Sequence, residues 1–358
     1  MTKLPPLVIG DLVLELPIIQ GGMGVSVSKS SLAGAVSTEG GLGVIASVGL
    51  GEDEAESKSY HDRSCDSLRK EIRAVKRRGL PVGVNIMVAL TNYRDMVEVC
   101  AEEQVDVVIS GAGLPLRLPG YAGDTGMKLV PIVSSARAAE ILFKTWLSKY
   151  ERFPDALVVE GPLAGGHLGF KFDEVVEGRA DSLETLVQKV LGTVREYEKQ
   201  HDKQIPVIAA GGIFTGEDIA KFLKLGASGV QMGTRFVATH ECDTSDEYKQ
   251  AFVDAKKSDV VVIRSPVGLP ARVIKNAFVE RSLRGERFKF ACPYKCLLTC
   301  EAKTANYCIA SALLNASRGK FNDGFAMCGQ NVYRIDKIVS VKELMRELVE
   351  EAEQHLAR

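Results

Sequence analysis

The stretch "IPVIAAGGIFTGEDIAKFLKLGASGVQMGTRF", residues 205–236, decides the fold class. It opens and closes with short runs rich in valine and isoleucine that do not alternate with polar residues. Such runs are typical of strands buried on both faces of a parallel sheet. Between the runs, Thr215 and Asp218 form a helix-start signature, and Gly226 marks the helix end. The stretch therefore predicts a strand–helix–strand unit.

The same alternation recurs along the chain. Six further apolar runs precede helical patterns: "PIIQGGM" (17–23), "GLGVIAS" (41–47), "PVGVNIMV" (81–88), "VDVVISG" (105–111), "KLVPIVS" (128–134) and "ALVVEG" (156–161). Eight strands alternating with helices predict an α/β fold of the (β/α)8 TIM-barrel type. Five or six strands would instead favour an open, doubly wound sheet, which is the structural alternative.

The pattern also suggests how the chain is divided. Residues 1–236 form the predicted barrel core. Residues 237–310 lack the regular alternation and are predicted to be an insertion or subdomain that carries a cluster of cysteines. Residues 311–358 are predicted to be a C-terminal segment whose closing helix packs back on the barrel.

Composition excludes several classes of function. The chain has 358 residues, is 46% hydrophobic and 25% charged, and carries a net charge of -1. This profile is typical of a soluble globular protein and does not favour nucleic acid or an anionic membrane as partner. No run reaches the roughly 18 apolar residues of a membrane helix, and the first residues do not resemble a signal peptide. We therefore expect a cytoplasmic protein that acts on a small molecule, and a homodimer is the assembly we consider.

Glycines gather where the predicted strands end, which is the working face of such a barrel. They include Gly22, Gly165, Gly166, Gly211, Gly212 and Gly233. Backbone N–H groups of the last two loops, together with Thr234, can hold a phosphate, as loops after the seventh and eighth barrel strands commonly do. The alternative is that these glycines only make tight turns.

Two polar side chains interrupt otherwise apolar strands. Asn85 and Gln231 each lie within a predicted buried strand, where an amide needs hydrogen-bond partners. A flat heterocycle with donors and acceptors along its edge would supply them. A structural hydrogen bond to a neighbouring strand is the alternative.

The segment "VVEGPLAGGHLGF", residues 158–170, contains the candidate catalytic residue. An apolar run ends there at Glu160, and His167 follows among glycines. Histidine titrates near neutral pH and can therefore accept or donate a proton. The alternative for His167 is a structural contact, in which it caps a helix or bonds a carbonyl.

Four cysteines near the C-terminus have a spacing that metal sites use. Cys292, Cys296, Cys300 and Cys308 are separated by three, three and seven residues. Four thiolates can bind a [4Fe–4S] cluster or a structural zinc ion. The alternative is that the first three are plain thiols packed on one helix face.

Together these motifs resemble those of a known family. "IIQGGMG", "GVNI", "VEGPLAGGHLG", "PVIAAGGI" and "GVQMGTRF" are similar to motifs of the nitronate monooxygenases, once called 2-nitropropane dioxygenases. They are also similar to motifs of their sister group, the FMN-dependent enoyl-ACP reductases. The resemblance covers residues 15–240, 265–272 and 310–329.

The resemblance implies an FMN-binding barrel and a role for each motif residue. Gly22 and Met23 would pack on the flavin, Asn85 would bond its ring, and His167 would be the catalytic histidine, acting as a base or positioning the anionic substrate. Gly165 and Gly166 would border the ring, and the residues implied at the ribityl chain and phosphate are Gly211, Gly212, Gln231, Gly233 and Thr234. Glu160 is also implied at the cofactor.

The resemblance implies oxidation of alkyl nitronates to carbonyl compounds and nitrite. The alternative is an NAD(P)H-dependent reductase of enoyl thioesters or quinones at the same FMN site. An iron–sulfur cluster would favour this second reading, because such clusters suit electron transfer at low oxygen. A third hypothesis is a non-catalytic barrel that senses flavin or a phosphorylated metabolite.

Overall fold

The computed structural model describes residues 3–51, 59–292 and 295–357. A short antiparallel hairpin, β1 (Leu7–Ile9) and β2 (Leu12–Leu14), precedes the main sheet. The main sheet contains eight parallel strands in the spatial order β3-β11-β10-β8-β7-β6-β5-β4. These are β3 (Ile18–Gln20), β4 (Val44–Ala46), β5 (Gly83–Met87), β6 (Val107–Gly111), β7 (Lys128–Val133), β8 (Leu157–Glu160), β10 (Val207–Ala210) and β11 (Gly229–Met232).

Backbone hydrogen bonds join the two outermost strands of this sheet. The N–H of Leu42, just before β4, donates to the carbonyl of Ile18 at 3.0 Å, and the N–H of Gln20 donates to the carbonyl of Leu42 at 2.9 Å. The sheet is therefore a closed barrel. The predicted (β/α)8 class is confirmed, and the open, doubly wound alternative is wrong.

Helices surround the barrel and extend its C-terminal part. They are α1 (Ser30–Thr38), α2 (Tyr60–Lys76), α3 (Tyr93–Glu102), α4 (Leu118–Ala122), α5 (Ala136–Tyr150), α6 (Phe172–Val176), α7 (Leu183–His201), α8 (Gly216–Leu225), α9 (Thr234–Val237), α10 (Asp246–Val253), α11 (Ala277–Leu283), α12 (Ile309–Ser317) and α13 (Val341–Leu356). The predicted cap of α8 is present: the Thr215 side chain accepts a hydrogen bond from the N–H of Asp218, and Gly226 ends the helix. None of the described helices combines the length and apolar character needed to cross a lipid bilayer.

The strands bury both faces, as their apolar runs predict. In β6, Val107 and Ile109 face the inner core of the barrel, where the hairpin residues Leu7 and Leu14 also pack. Val108 belongs to the larger core between the strands and the helices. The barrel interior is thus a packed core rather than a pore, and chemistry is confined to its ends.

The C-terminal part adds a second sheet above the barrel. β12 (Val260–Arg264) and β13 (Pro270–Ile274) form an antiparallel hairpin, and β13 also pairs with the two-residue strand β9 (Gly166–His167). A small core that includes Phe278 and Phe325 supports this hairpin. The division of the chain into three segments at residues 236 and 310 stays a prediction.

The final helix packs closely on the barrel. α13 lies against α8 and α1, and the N–H of Gly216 donates to a carboxylate oxygen of Glu351 at 2.7 Å. A Cβ atom at Gly216 would overlap the backbone of Leu348 and Ala352. The backbones of α8 and α13 are therefore in close contact at the first residue of α8.

A pair of glycine substitutions tests this packing. G216A should lower the free energy of unfolding by about 1–3 kcal/mol, because the added methyl group overpacks the α8–α13 contact. G192A is the matched control, since Gly192 lies within α7 and a Cβ there would meet no atom within 4 Å among the described residues. It should raise stability by about 0.5–1 kcal/mol through helix propensity. Urea unfolding of both variants measures this, and a G216A variant at least as stable as wild type would contradict the close contact.

Candidate active site

One cavity of about 800 Å³ lies at the carboxyl ends of the barrel strands. The residues predicted at the cofactor and the predicted catalytic residue all line it: Gly22, Met23, Asn85, Glu160, Gly165, Gly166, His167, Gly211, Gly212, Gln231, Gly233 and Thr234. They come from β5, β8, β9 and β11, from loops that follow strands, and from the first residue of α9. The closed barrel therefore brings together residues more than two hundred positions apart in the sequence.

Three polar side chains in this cavity have no recorded partner among the described residues. Asn85, Glu160 and Gln231 form no side-chain hydrogen bond there, and the Gln231 Oε1 atom is fully buried. Gln20 differs, because its amide bonds the backbone of Gly21 and Val44. Buried polar atoms normally have partners, so the cavity is built to receive a ligand with donors and acceptors. This fits the flavin ring that the resemblance implies.

Glycine is required at these cavity positions for different physical reasons. Gly211 and Gly212 have φ angles of +97° and +90°, which side chains rarely tolerate. A Cβ at Gly165 would lie 2.6 Å from the carbonyl carbon of Cys328, so this glycine is required by close packing of two chain segments. The tight-turn alternative is thus correct in part, and the same loops still line the cavity.

Sequence reasoning missed one segment of the cavity wall, residues 328–331. The N–H of Gly329 donates to the Thr234 hydroxyl at 2.9 Å, and the Asn331 amide donates to the carbonyl of Gly212 at 2.7 Å. The segment thus supports the loops predicted to hold a phosphate. Its first two residues, Cys328 and Gly329, end the stretch 310–329 that resembles the family, and this position could have indicated the segment.

His167 lies on β9, which is held by β13. The register pairs His167 with Ala271, and the His167 Nε2 atom lies 3.0 Å from the Ser265 hydroxyl oxygen. Burial lowers the pKa of His167 to about 4, so the imidazole is neutral at neutral pH. The structural alternative, a helix cap or a carbonyl contact, does not describe this geometry.

Arg272 supports the loop that precedes His167. This side chain is 3% exposed, and its guanidinium donates to the carbonyl of Ala164. The Arg272 carbonyl also accepts the N–H of Cys328 at 3.1 Å. Arg272 therefore ties the His167 loop, the hairpin and the 328–331 segment together.

Glu160 ends β8 inside the same cavity. Burial raises the pKa of its carboxyl group to about 7, the opposite of what burial does to the imidazole of His167. Near neutral pH the cavity therefore contains a neutral histidine and a glutamate that is partly protonated.

One part of the cavity wall is apolar. It is lined by Leu114, Phe170, Leu269, Leu297, Leu313 and Met327. Leu114 lies in the loop after β6, and Leu269 lies in the turn between β12 and β13. Among the described residues near this part, Lys171 and Glu174 are charged, and they form an ion pair at 3.4 Å. The compartment suits an uncharged carbon chain.

The four clustered cysteines do not form a metal site in the described structure. Cys296 lines the cavity, Cys308 precedes α12, and Cys292 and Cys300 are partly exposed. Within the described residues, no three His, Cys, Asp or Glu side chains are grouped to hold a metal ion. The predicted iron–sulfur cluster or zinc ion is therefore not supported. The helix-face alternative is wrong, because the described residues from 286 to 308 contain no helix.

Comparison with known families gives a match over nearly the whole chain. The model of the nitronate monooxygenase family matches residues 7–96 and 78–351. A probable nitronate monooxygenase of Staphylococcus saprophyticus is 29% identical over 304 residues, which cover 78% of this chain and 81% of that relative. A Mycobacterium tuberculosis relative, (3aS,4S,5R,7aS)-5-hydroxy-7a-methyl-1-oxo-octahydro-1H-indene-4-carboxyl-CoA dehydrogenase, is 30% identical over 274 residues, which cover 76% and 67%.

Solved structures resemble the whole architecture. FabK from Thermotoga maritima has a TM-score of 0.75 and 33% identity, covering 96% of this chain and 94% of its own. A nitroalkane oxidase from Streptomyces ansochromogenes has a TM-score of 0.72 at 22% identity, covering 96% and 97%, and shares the fold.

The raised pKa of Glu160 predicts a pH-dependent stability. Between about pH 4.5 and 7 the folded protein holds a proton that the unfolded chain has lost, so Glu160 makes stability fall as pH rises. E160Q removes this contribution. Its melting temperature relative to wild type should therefore rise across that window, measured by scanning fluorimetry. The control is E196Q, which changes an exposed glutamate of α7 and should show no such trend.

Proposed function

Since the chain belongs to the nitronate monooxygenase family and is thus an oxidoreductase, we propose that it oxidises alkyl nitronates to carbonyl compounds and nitrite with bound FMN. One observation carries the proposal. A single histidine and three polar side chains without recorded partners among the described residues line one cavity at the carboxyl ends of the barrel strands. Family membership also favours an enzyme over the non-catalytic sensor.

The cavity offers separate sites for the two ends of FMN. The ring is expected against Gly22, Met23 and Gly166, with the Asn85 and Glu160 side chains supplying polar contacts. Gln231 is expected at the ribityl chain. The phosphate is expected at Gly211, Gly212, Gly233 and Thr234, where glycine backbone allows close approach of an anion. When bound, FMN supplies the electron transfer between the substrate and oxygen, chemistry that no side chain provides.

The protein residues would bind and orient the substrate. His167 is neutral near pH 7 and lines the cavity, so it can form a hydrogen bond to a nitronate without adding a charge. The apolar wall with Leu269 and Met327 would exclude water and hold the alkyl group.

The second candidate function is reduction of an enoyl thioester by NADH or NADPH at the same site. The observation that favours it is the 33% identity to FabK of Thermotoga maritima across nearly the whole of both chains. The long apolar wall suits an acyl chain as well as an alkyl nitronate. The two functions differ in the electron donor, because only the reductase takes electrons from a pyridine nucleotide.

An anaerobic titration separates these functions. We expect propyl-2-nitronate to bleach the flavin absorbance of the purified protein, and NADH or NADPH alone to leave it unchanged. Rapid bleaching by either nucleotide, with no response to propyl-2-nitronate or propionate 3-nitronate, would establish the reductase instead.

Replacing His167 tests its role in the reaction. H167A should retain flavin and lose about 10²–10⁴-fold in nitrite release from propyl-2-nitronate, the range typical of a positioned proton-transferring or hydrogen-bonding group. H240A is the control, because His240 is exposed and lies outside the cavity wall. A loss below about tenfold in H167A, at full flavin content, would refute the assignment.

A further inference from the structure

We propose that the Ser265 hydroxyl is a positioning group that fixes the tautomer of His167, so that the imidazole presents an Nδ1–H donor to the cavity. His167 and Ser265 are 98 positions apart in the sequence. Only the last step of the proposal, the state in which substrate binds, rests on the function proposed above.

The two side chains occupy different sides of the cavity wall. His167 lines the cavity, whereas Ser265 is 5% exposed and lies behind the wall. The 3.0 Å contact joins the Ser265 oxygen to Nε2 of the imidazole. With Nε2 held by a buried hydroxyl, Nδ1 is the ring nitrogen left for a ligand in the cavity.

The direction of this hydrogen bond follows because the hydrogen of the buried Ser265 hydroxyl requires an acceptor. A buried hydroxyl hydrogen without an acceptor is costly. Among the described residues, Nε2 of His167 is the one side-chain partner recorded for the Ser265 oxygen. The hydroxyl therefore donates to Nε2. A neutral imidazole that accepts at Nε2 carries its proton at Nδ1.

The backbone holds both residues in fixed positions. The N–H of Ser265 donates to the carbonyl of Leu269 at 3.0 Å, which closes the turn between β12 and β13. The N–H of Leu168 donates to the carbonyl of Pro270 at 2.9 Å, next to the His167–Ala271 pair. One hairpin thus carries Ser265 and also anchors the strand that carries His167. Burial, which keeps the imidazole neutral, agrees with a single fixed tautomer.

An Nδ1–H group has a definite consequence for the substrate. It can donate a hydrogen bond to an anionic oxygen, but it has no lone pair at Nδ1 to remove a proton from carbon. If the protein oxidises nitronates, it binds them as preformed anions, and His167 orients the anion rather than generating it from a neutral nitroalkane.

Nitrogen NMR of the flavin-loaded protein tests the tautomer directly. The chain has five histidines, and H167Q identifies the signal of His167 in protein labelled with ¹⁵N-histidine. We expect the Nδ1–H pattern at neutral pH in wild type and in S265T, which retains the hydroxyl. S265A should shift His167 toward the Nε2–H pattern. An Nε2–H or doubly protonated wild type overturns the proposal, as does an unchanged tautomer in S265A.

Steady-state kinetics provide the second measurement. S265A should lower kcat for propyl-2-nitronate by about 10–100-fold, less than the loss of a whole catalytic group, while flavin content stays at the wild-type level and S265T recovers most of the rate. The matched control is S317A, which removes another buried serine hydroxyl, bonded to the carbonyl of Leu314. Equal rates in S265A and wild type overturn the role of Ser265.

The two measurements also separate this inference from the proposed function. A wild-type protein that shows the Nδ1–H tautomer but releases no nitrite would contradict nitronate oxidation and leave the Ser265–His167 assignment intact. A protein that oxidises nitronate with His167 in the Nε2–H form would contradict the Ser265–His167 assignment and leave nitronate oxidation intact.

Discussion

Closure of the barrel through Ile18, Gln20 and Leu42 is the constraint on which the rest of the structure depends. A parallel sheet with free edges exposes unpaired backbone groups, and hydrogen bonds between the outermost strands remove both edges. In the sheet order, β5 and β11 lie near opposite ends. Closure turns these ends toward each other, so that Asn85 of β5 and Gln231 of β11 line the same cavity. An open sheet of the same strands would separate them.

The C-terminal part of the chain completes the cavity. The barrel alone delivers the Gly165–Gly166–His167 segment to the correct end, but β13 pairs with that segment and Arg272 bonds the loop before it. The 328–331 segment packs on Gly165 and bonds Thr234 and Gly212. The cavity face is therefore built by the first two thirds of the chain and supported by contacts from the last third.

Local patterns explain how much of this could be predicted. Strands buried on both faces have a continuous apolar run, so all eight barrel strands could be predicted from the sequence. Asn85 and Gln231 could be identified because they interrupt apolar runs, and His167 because it lies among glycines. The contacts of Ser265, Arg272 and Asn331 could not be predicted, because each joins segments about a hundred residues apart. The cysteine spacing was misleading for a related reason. Spacing indicates a metal site only if the folded backbone groups the thiols as ligands, and within the described residues no such group of three is formed. The reaction came from the family resemblance, since glycines and a histidine at a barrel mouth serve many chemistries.

The position of α13 has a consequence for synthesis of the protein. The eighth barrel strand ends at Met232, yet the helix that covers α8 and α1 begins at Val341. A ribosome must therefore release about a hundred further residues before the outer ring of helices can be completed. Until then, α1 and α8 lack the cover that α13 provides, and apolar surface exposed in this way is prone to aggregation. Completion of the outer ring of helices thus depends on residues made about a hundred positions after the last barrel strand.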